Sequence, residues 1–268
     1  GVVNTELYNV YIRRNTLTNL GYGWTTPDVC SHGVGVWCYQ NERAPSSLHD
    51  CFIESNVIDK FSYCGIRLMK GQYIVVGNVI RNGTGVYAEN QWDRPSGIAM
   101  HGGSYTDSTG DTYGTIAYNL VHSNNSAGMF FINNTPVGEY RVEVFNNAFV
   151  NNGTATIPNF FVYTANNISV RNNIFYSTNS IPFSVETVTQ IVSNNNCFYR
   201  ASGTMIRWHT TNYARGQFAA YQTASHQDAN SIALDPAFVS TTIPDLHLTT
   251  GSPCIDAGVN KGVTVDFE

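Results

Sequence analysis

One phrase recurs along this chain of 268 residues: asparagine, any residue, then an apolar residue. It stands at Asn15-Thr16-Leu17, Asn56-Val57-Ile58, Asn78-Val79-Ile80, Asn119-Leu120-Val121, Asn147-Ala148-Phe149, Asn173-Ile174-Phe175 and Asn196-Cys197-Phe198. The spacings are 41, 22, 41, 28, 26 and 23 residues. The 41-residue units read as one shorter unit plus an insertion. Self-similarity at this period marks a chain that stacks repeats, each burying its neighbour's apolar face. The chain carries 30 asparagines. Abundance alone does not keep an apolar residue two places on at a coil-length period.

Each phrase follows an apolar or alternating run, such as Cys51-Phe52-Ile53 or Tyr73-Ile74-Val75-Val76. Most are followed by a glycine-led run: Gly35-Val36-Trp37-Cys38, Gly65-Ile66-Arg67-Leu68, Gly97-Ile98-Ala99-Met100, Gly128-Met129-Phe130-Phe131 and Gly203-Thr204-Met205-Ile206. Short β-branched and aromatic runs bounded by Asn and Gly read as strands, and they are too short for helices. Two or three such strands make one coil of a solenoid. The repeated asparagine suits a sharp turn, because Asn tolerates the left-handed region. Stacked in successive coils, its amide can also form a hydrogen-bonded ladder.

These residues resemble the right-handed parallel β-helix of the pectin-lyase-like superfamily over roughly residues 8 to 207. The segments Asp235-Pro236-Ala237-Phe238-Val239 and Gly251-Ser252-Pro253-Cys254-Ile255-Asp256-Ala257-Gly258 resemble the C-terminal part of many secreted bacterial β-helix proteins. The expected fold class is all-β, a right-handed parallel β-helix of seven to nine coils. Residues 1–207 form the coils, and residues 208–268 form an irregular segment of the same domain that wraps or caps their end. An open coil end is an exposed sheet edge and must be covered. With no initiator Met and no signal segment, the sequence reads as a mature or trimmed piece of a longer secreted chain.

Charged residues are 12 %, about half the usual share of about 25 %, so solubility rests on Asn, Ser, Thr and Gly. A net charge of −5 supplies no basic stripe for nucleic acid. No apolar stretch approaches the roughly 20 residues of a membrane span. Six cysteines allow three disulfides, and spacing cannot give the pairing. Cys30, Cys38, Cys51 and Cys64 crowd into the first coils, where bridges could pin an insertion. Cys38 and Cys197 also suit buried apolar positions. Glycosylation sequons occur at Asn82, Asn124, Asn133, Asn152 and Asn167.

The two long units locate a candidate site. Both insert residues before the glycine-led strand: about Gly21 to Ser31, with Trp24 and Asp28, and about Thr84 to Ser96, with Tyr87, Glu89, Trp92, Asp93 and Arg94. Both also lengthen the loop after it, at Gln40 to His49 and Gly102 to Gly114. Insertions at equivalent places in a solenoid project from one edge. They flank a short coil, so the walls of the cleft stand roughly 10 Å apart, which suits an extended polysaccharide. The floor is Gly65 to Lys70. Alternation sends Ile66 and Leu68 inward and Arg67 and Met69 outward, with Lys70 at the rim. It also sends Trp37, Tyr39, Ala99 and His101 outward.

Flat aromatics beside cations stack sugar rings and bind carboxylates. Trp37, Tyr39, Trp92, Trp24, Glu89 and Asp93 are the expected substrate contacts. The resemblance implies β-elimination on a uronate polysaccharide, with Lys or Arg as base and Ca²⁺ as the cation that stabilises the enolate-like intermediate. Lys70 or Arg67 is the expected base, assisted by His101 or Arg94, with Asp107 and Asp111 as Ca²⁺ ligands. Lyase chemistry ranks ahead of hydrolysis, for which Glu89, Asp93 and Asp28 would supply an acid–base pair. The chain lacks the paired aspartates of polygalacturonases and the second arginine of a pectate-lyase-like Arg-x-Pro-x-x-Arg, so no catalytic set transfers residue by residue. Each candidate also has a structural role open to it: Lys70 and Arg67 as solvated charges, Asp107 and Asp111 as turn caps, His101 in packing, Trp24 and Trp92 pinning their loops. The alternative function is a non-catalytic, polysaccharide-binding, adhesive or filament-forming module that self-associates through its coil ends.

Overall fold

Strands of three to seven residues form where β-branched and aromatic residues alternate between turns. The structure is a computed structural model, and it describes residues 9–21, 33–39, 50–69, 71–85, 95–102, 112–133, 140–188, 190–241 and 245–262. Seven coils follow one another, each with three strands. Coil one holds β1 (Val10–Arg13), β2 (Thr16–Leu20) and β3 (Val36–Tyr39); coil two holds β4 (Asp50–Glu54), β5 (Val57–Phe61) and β6 (Cys64–Met69). Coil three holds β7 (Gly71–Val76), β8 (Val79–Arg81) and β9 (Ser96–Gly102); coil four holds β10 (Thr112–Ala117), β11 (Leu120–His122) and β12 (Ala127–Asn133). Coil five holds β13 (Tyr140–Phe145), β14 (Ala148–Val150) and β15 (Phe160–Ala165). Coil six holds β16 (Ile168–Arg171), β17 (Ile174–Tyr176) and β18 (Phe183–Val188); coil seven holds β19 (Ile191–Asn194), β20 (Cys197–Tyr199) and β21 (Thr204–Trp208).

The first strands of the coils pair in parallel as sheet A, the second as sheet B and the third as sheet C. This is a parallel β-helix, as the repeat predicts. The phrase asparagines form one unbroken ladder. Each side-chain amide donates to the Oδ1 of the next: Asn15 to Asn56 at 3.0 Å, Asn56 to Asn78 at 2.9 Å, Asn78 to Asn119 at 2.9 Å, Asn119 to Asn147 at 2.9 Å, Asn147 to Asn173 at 3.0 Å and Asn173 to Asn196 at 3.2 Å. From Asn15 to Asn173 each backbone N–H in the row donates to the same oxygen as its side chain. From Asn56 on, the second amide proton goes back to a carbonyl of the preceding coil, as from Asn119 to Val75 at 2.9 Å. Asn56, Asn78, Asn119, Asn147, Asn173 and Asn196 are buried, and the ladder satisfies amides that would otherwise cost about 1–3 kcal/mol each.

The left-handed turn belongs to another residue. The ladder asparagines do not adopt positive φ; the residue before each does. Arg14, Ser55, Gly77, Tyr118, Asn146, Asn172 and Asn195 all lie at φ between 55 and 66°. One residue reverses the chain and the next carries the amide. In coils five to seven both jobs fall to asparagine, as the doublets Asn146-Asn147, Asn172-Asn173 and Asn195-Asn196.

The apolar residue of each phrase faces the core. Leu17, Ile58, Ile80, Val121, Phe149, Phe175 and Phe198 lie in one column through sheet B. The column changes from aliphatic to aromatic at coil five. There Phe149, Phe160, Phe175, Phe183 and Phe198 meet with ring centroids 5.0 to 5.6 Å apart. Glycines form a second column where the chain enters sheet C. A Cβ on Gly35, Gly65 or Gly97 would lie 2.6–2.7 Å from the carbonyl oxygen of the next glycine in the row. Only glycine admits so close a backbone.

Past coil seven the expected cap follows, with a few short regular elements in it. Sheet C gains an antiparallel edge strand, β22 (Thr211–Ala214), followed by a 3₁₀ turn (Arg215–Gln217) and a helix, α1 (Phe218–Ser225). Tyr221 of the helix is fully buried against Trp208, Tyr213 and Phe218 and closes the core. Asp228 ends the ladder: its carboxylate accepts from Asn196 Nδ2 (3.2 Å), Ser193 Oγ (3.0 Å), Ser231 Oγ (2.6 Å) and Tyr221 Oη (2.6 Å). Burial raises the Asp228 pKa, and the hydrogen bonds oppose that rise. A two-stranded hairpin follows, β23 (Phe238–Ser240) with β24 (Asp245–Leu248). The tail then runs back along the turn row. Asn172 exchanges two bonds with Val259 (2.7 and 3.0 Å), and Lys261 reaches Glu143 (3.5 Å) over the Phe145 ring. Among the described residues no helix is long and apolar enough to cross a membrane.

Candidate functional site

Sheet C faces outward with one continuous row across its coils: Trp37, Arg67, Ala99, Phe130, Phe161, Ser184 and Arg207. The row results from strand alternation, since Ile66 and Leu68 on either side of Arg67 are fully buried in the core. Strand β6 lies between β3 and β9, as the short coil between two long ones. Segments 22–32 and 86–94 lead into β3 and β9, and segments 40–49 and 103–111 lead out. Strand β6 enters directly from β5 through Ser62 and Tyr63.

Arg67 is not the solvated charge that an outward strand position suggests. It is 5 % exposed. Its guanidinium lies over the Trp37 ring at 5.1 Å and the Tyr63 ring at 5.5 Å. Trp37 is 48 % exposed, so the cation sits behind an open aromatic surface. A guanidinium stays charged at any physiological pH, and the ring quadrupoles favour that charge. His101 is also on this outer face, opposite Met69 on β6, but it is 2 % exposed. Its ring packs edge-on against Phe130 at 6.2 Å. In coils four and five the outer face is covered: Ala127, Phe130, Ile132, Ile157 and Phe161 form a second apolar cluster outside the solenoid lumen.

The structure therefore brings Arg67, Trp37 and His101 to one face, on three adjacent strands. Tyr39 ends β3 opposite Met69. Lys70, Arg94, Trp24, Trp92, Glu89, Asp93, Asp107, Asp111 and Asp28 lie outside the described residues. Among the described residues no group of three or more His, Cys, Asp or Glu is placed to hold a metal ion.

Two features escaped the sequence reading. A groove of about 420 Å³ runs between the turn row and the returning tail, lined by Asn146, Asn172, Asn195, Asn230 and Lys261 among others. The asparagine doublets were its signal. It lies away from sheet C, and its lining includes the acidic Asp256 and the basic Lys261. The second feature is a polar row on sheet B, Asp59, Arg81 and His122. Arg81 pairs with Asp59 at 3.5 Å, and Asn82 donates to Asp59 at 2.7 Å. Burial first, then the Arg81 charge, push the His122 pKa down to about 4 from its ordinary 6.5.

That shift has a sign. The unfolded chain takes up a proton near pH 6.5 while the folded chain resists until about pH 4. Stability from neutral His122 is therefore full above pH 6.5 and is lost as the pH falls toward 4, by at most about 3 kcal/mol. Urea titrations across that window should show a steeper loss for the native chain than for His122→Gln. Equal slopes would remove His122 as the cause.

The sequons divide by burial. Asn124 and Asn152 are 1 % and 0 % exposed and form a second ladder, with Asn124 Nδ2 donating to Asn152 Oδ1 at 2.7 Å and Asn152 Nδ2 to Asn159 Oδ1 at 2.7 Å. A glycan on either would break that ladder. In a glycosylating host, peptide mapping should find Asn124 and Asn152 unmodified, while Asn82 and Asn167 are exposed and open to transfer. A glycan on Asn152 of folded protein would contradict the ladder.

In comparison with known proteins, no family model matches the chain, and no curated protein or solved structure matches it at a significant level.

Proposed function

We propose that the protein is a secreted, carbohydrate-active member of the pectin-lyase-like β-helices that takes an extended uronate polysaccharide along the outer face of sheet C. The observation that carries this reading is the Arg67 guanidinium seated behind the exposed Trp37 ring on the short coil between two long ones. Trp37 offers a face for a sugar ring, and Arg67 supplies a fixed positive charge for its carboxylate. In the catalytic form of the proposal, Lys70 removes the proton next to the uronate carboxylate. The Arg67 charge then favours the enolate-like intermediate, with His101 and Arg94 assisting. Ca²⁺ at Asp107 and Asp111 would supply further positive charge.

A second reading, a non-catalytic binding or structural module, is favoured by the burial of Arg67 and His101 at 5 % and 2 % exposure. Groups so enclosed by aromatic rings position a surface more readily than they exchange protons with a substrate. One experiment separates the two. The protein is incubated with uronate and neutral polysaccharides, with and without Ca²⁺, and the ultraviolet absorbance of unsaturated ends is followed alongside binding. Unsaturated ends that vanish in Lys70→Ala with Arg67→Ala support the lyase; full activity in that double variant rejects this site. Binding without cleavage supports the module. In either case Trp37→Ala should weaken binding about tenfold, the equivalent of about 1.4 kcal/mol of stacking, with the circular dichroism unchanged. Unchanged binding in that variant places the polysaccharide elsewhere.

A further inference from the structure

We propose that Cys38 with Cys51, and Cys197 with Cys254, are two disulfide-forming pairs that staple the opposite ends of the solenoid. The first pair stands on direct geometry. Cys38 of β3 and Cys51 of β4 both face the core from different sheets, and their sulfurs lie 2.9 Å apart. A covalent bridge needs them only roughly 0.9 Å closer. Tyr73 is stacked on the same inner row as Cys51, and its hydroxyl donates to the Met69 carbonyl at 2.7 Å, which holds this corner of the coil in place. The second pair joins distant parts of the chain. Cys197 opens β20 in coil seven, and Cys254 lies in the returning tail. Both thiols line one groove, where the Cys197 thiol donates to the Leu234 carbonyl at 3.3 Å.

Within each pair one thiol is the more accessible: Cys38 and Cys254 are half-buried, while Cys51 and Cys197 are buried. With a small disulfide such as oxidised glutathione as oxidant, the Cys38 thiolate attacks one sulfur and releases one glutathione thiolate. Cys51 then gives up its proton, attacks the Cys38 sulfur of the mixed disulfide and releases the second glutathione. Two protein thiols become one disulfide, and one small disulfide becomes two thiols. Cys254 and Cys197 follow the same steps. Cys64 belongs to neither pair: it lies on the outer face of sheet C with Ser96 Oγ at 3.9 Å.

The bridges would do different things. Cys38–Cys51 closes the loop that contains residues 40–49. Cys197–Cys254 anchors the tail whose Val259 and Lys261 clasp coils five and six. The test uses the full chain, equilibrated with oxidised and reduced glutathione, alkylated and mapped as non-reduced peptides. The expected result is two cross-linked species, Cys38 with Cys51 and Cys197 with Cys254, and a Tm that falls by about 10 °C when reductant is added. Cys38→Ser and Cys197→Ser should each delete one species and leave the former partner alkylated. Any other pairing of these four, including one with Cys30 or Cys64, overturns the proposal. So do four alkylated thiols after oxidation, a measurement on the native chain that does not depend on the variants folding.

Discussion

Asn119→Leu should destabilise the protein by about 4–5 kcal/mol, although leucine matches asparagine in shape and the site is fully buried. Asn119 is the middle rung. Its Oδ1 accepts from both the backbone N–H and the side chain of Asn78 (3.0 and 2.9 Å), and its amide donates to Asn147 Oδ1 and to Val75 O. Leucine removes the acceptor for two buried donors, each left without water at about 1–3 kcal/mol, and deletes the side-chain bonds that Asn119 donates to Asn147, Val75 and Ala117. Asn15→Leu provides the contrast. Asn15 is exposed, donates to Asn56 at 3.0 Å and ends the row. Its loss should cost about 1 kcal/mol. Urea denaturation of both variants checks the pair. Equal costs would mean that the ladder adds nothing beyond the sheets.

Phe160→Ala should cost about 4–5 kcal/mol, the upper end for a large aromatic truncated in a core. Phe160 is fully buried, with Phe131, Phe149, Phe175 and Phe183 at 5.0 to 5.6 Å between ring centroids. The size of the loss follows from the architecture. In a globular core, neighbours shift to fill a void. Here the strands above and below are held in register by parallel pairing on three sheets, so the coils cannot close along the axis and the cavity persists. Phe52→Ala, on the half-buried outer face of sheet A against Tyr11, should cost about 1 kcal/mol by the same assay. A Phe160→Ala loss near that value would mean that the lumen collapses after all.

The coil period and the ladder were legible because each places a strict demand on one residue. The ladder needs an amide at every turn, and the core column needs an apolar side chain two places later, so Asn15-x-Leu17 and Asn196-x-Phe198 carry the same imprint. The turn residue was not legible. Its position demands only positive φ, and Arg14, Ser55, Gly77 and Tyr118 satisfy that demand with unrelated side chains. Alternation told correctly that Arg67 leaves the core, but not what covers it. Tyr63, which does, comes from the corner before the strand and follows no repeat. The cap was expected over residues 208–268, but the residues that make it were not legible for a similar reason: Tyr221 and Asp228 close the solenoid once, so nothing recurs to mark them. The glycine column was legible as a spacing, and its cause, a carbonyl 2.6–2.7 Å from any added Cβ, only as a structure.

Every amide in the ladder is oriented the same way, with its C=O toward coil one and one N–H toward coil seven. Seven aligned amide dipoles do not cancel as strand dipoles do within a sheet, so the turn row has an electrical polarity, positive at the C-terminal end. Asp228 sits at that positive end, its carboxylate accepting a hydrogen bond from the last amide, as an acidic residue caps the N-terminus of an α-helix. This gives a reason for a carboxylate at 1 % exposure with no cation bonded to it among the described residues. It also gives the solenoid a direction. A further coil placed beyond coil seven would have to present an acceptor where Asp228 now stands, and one placed before coil one would have to present a donor to Asn15.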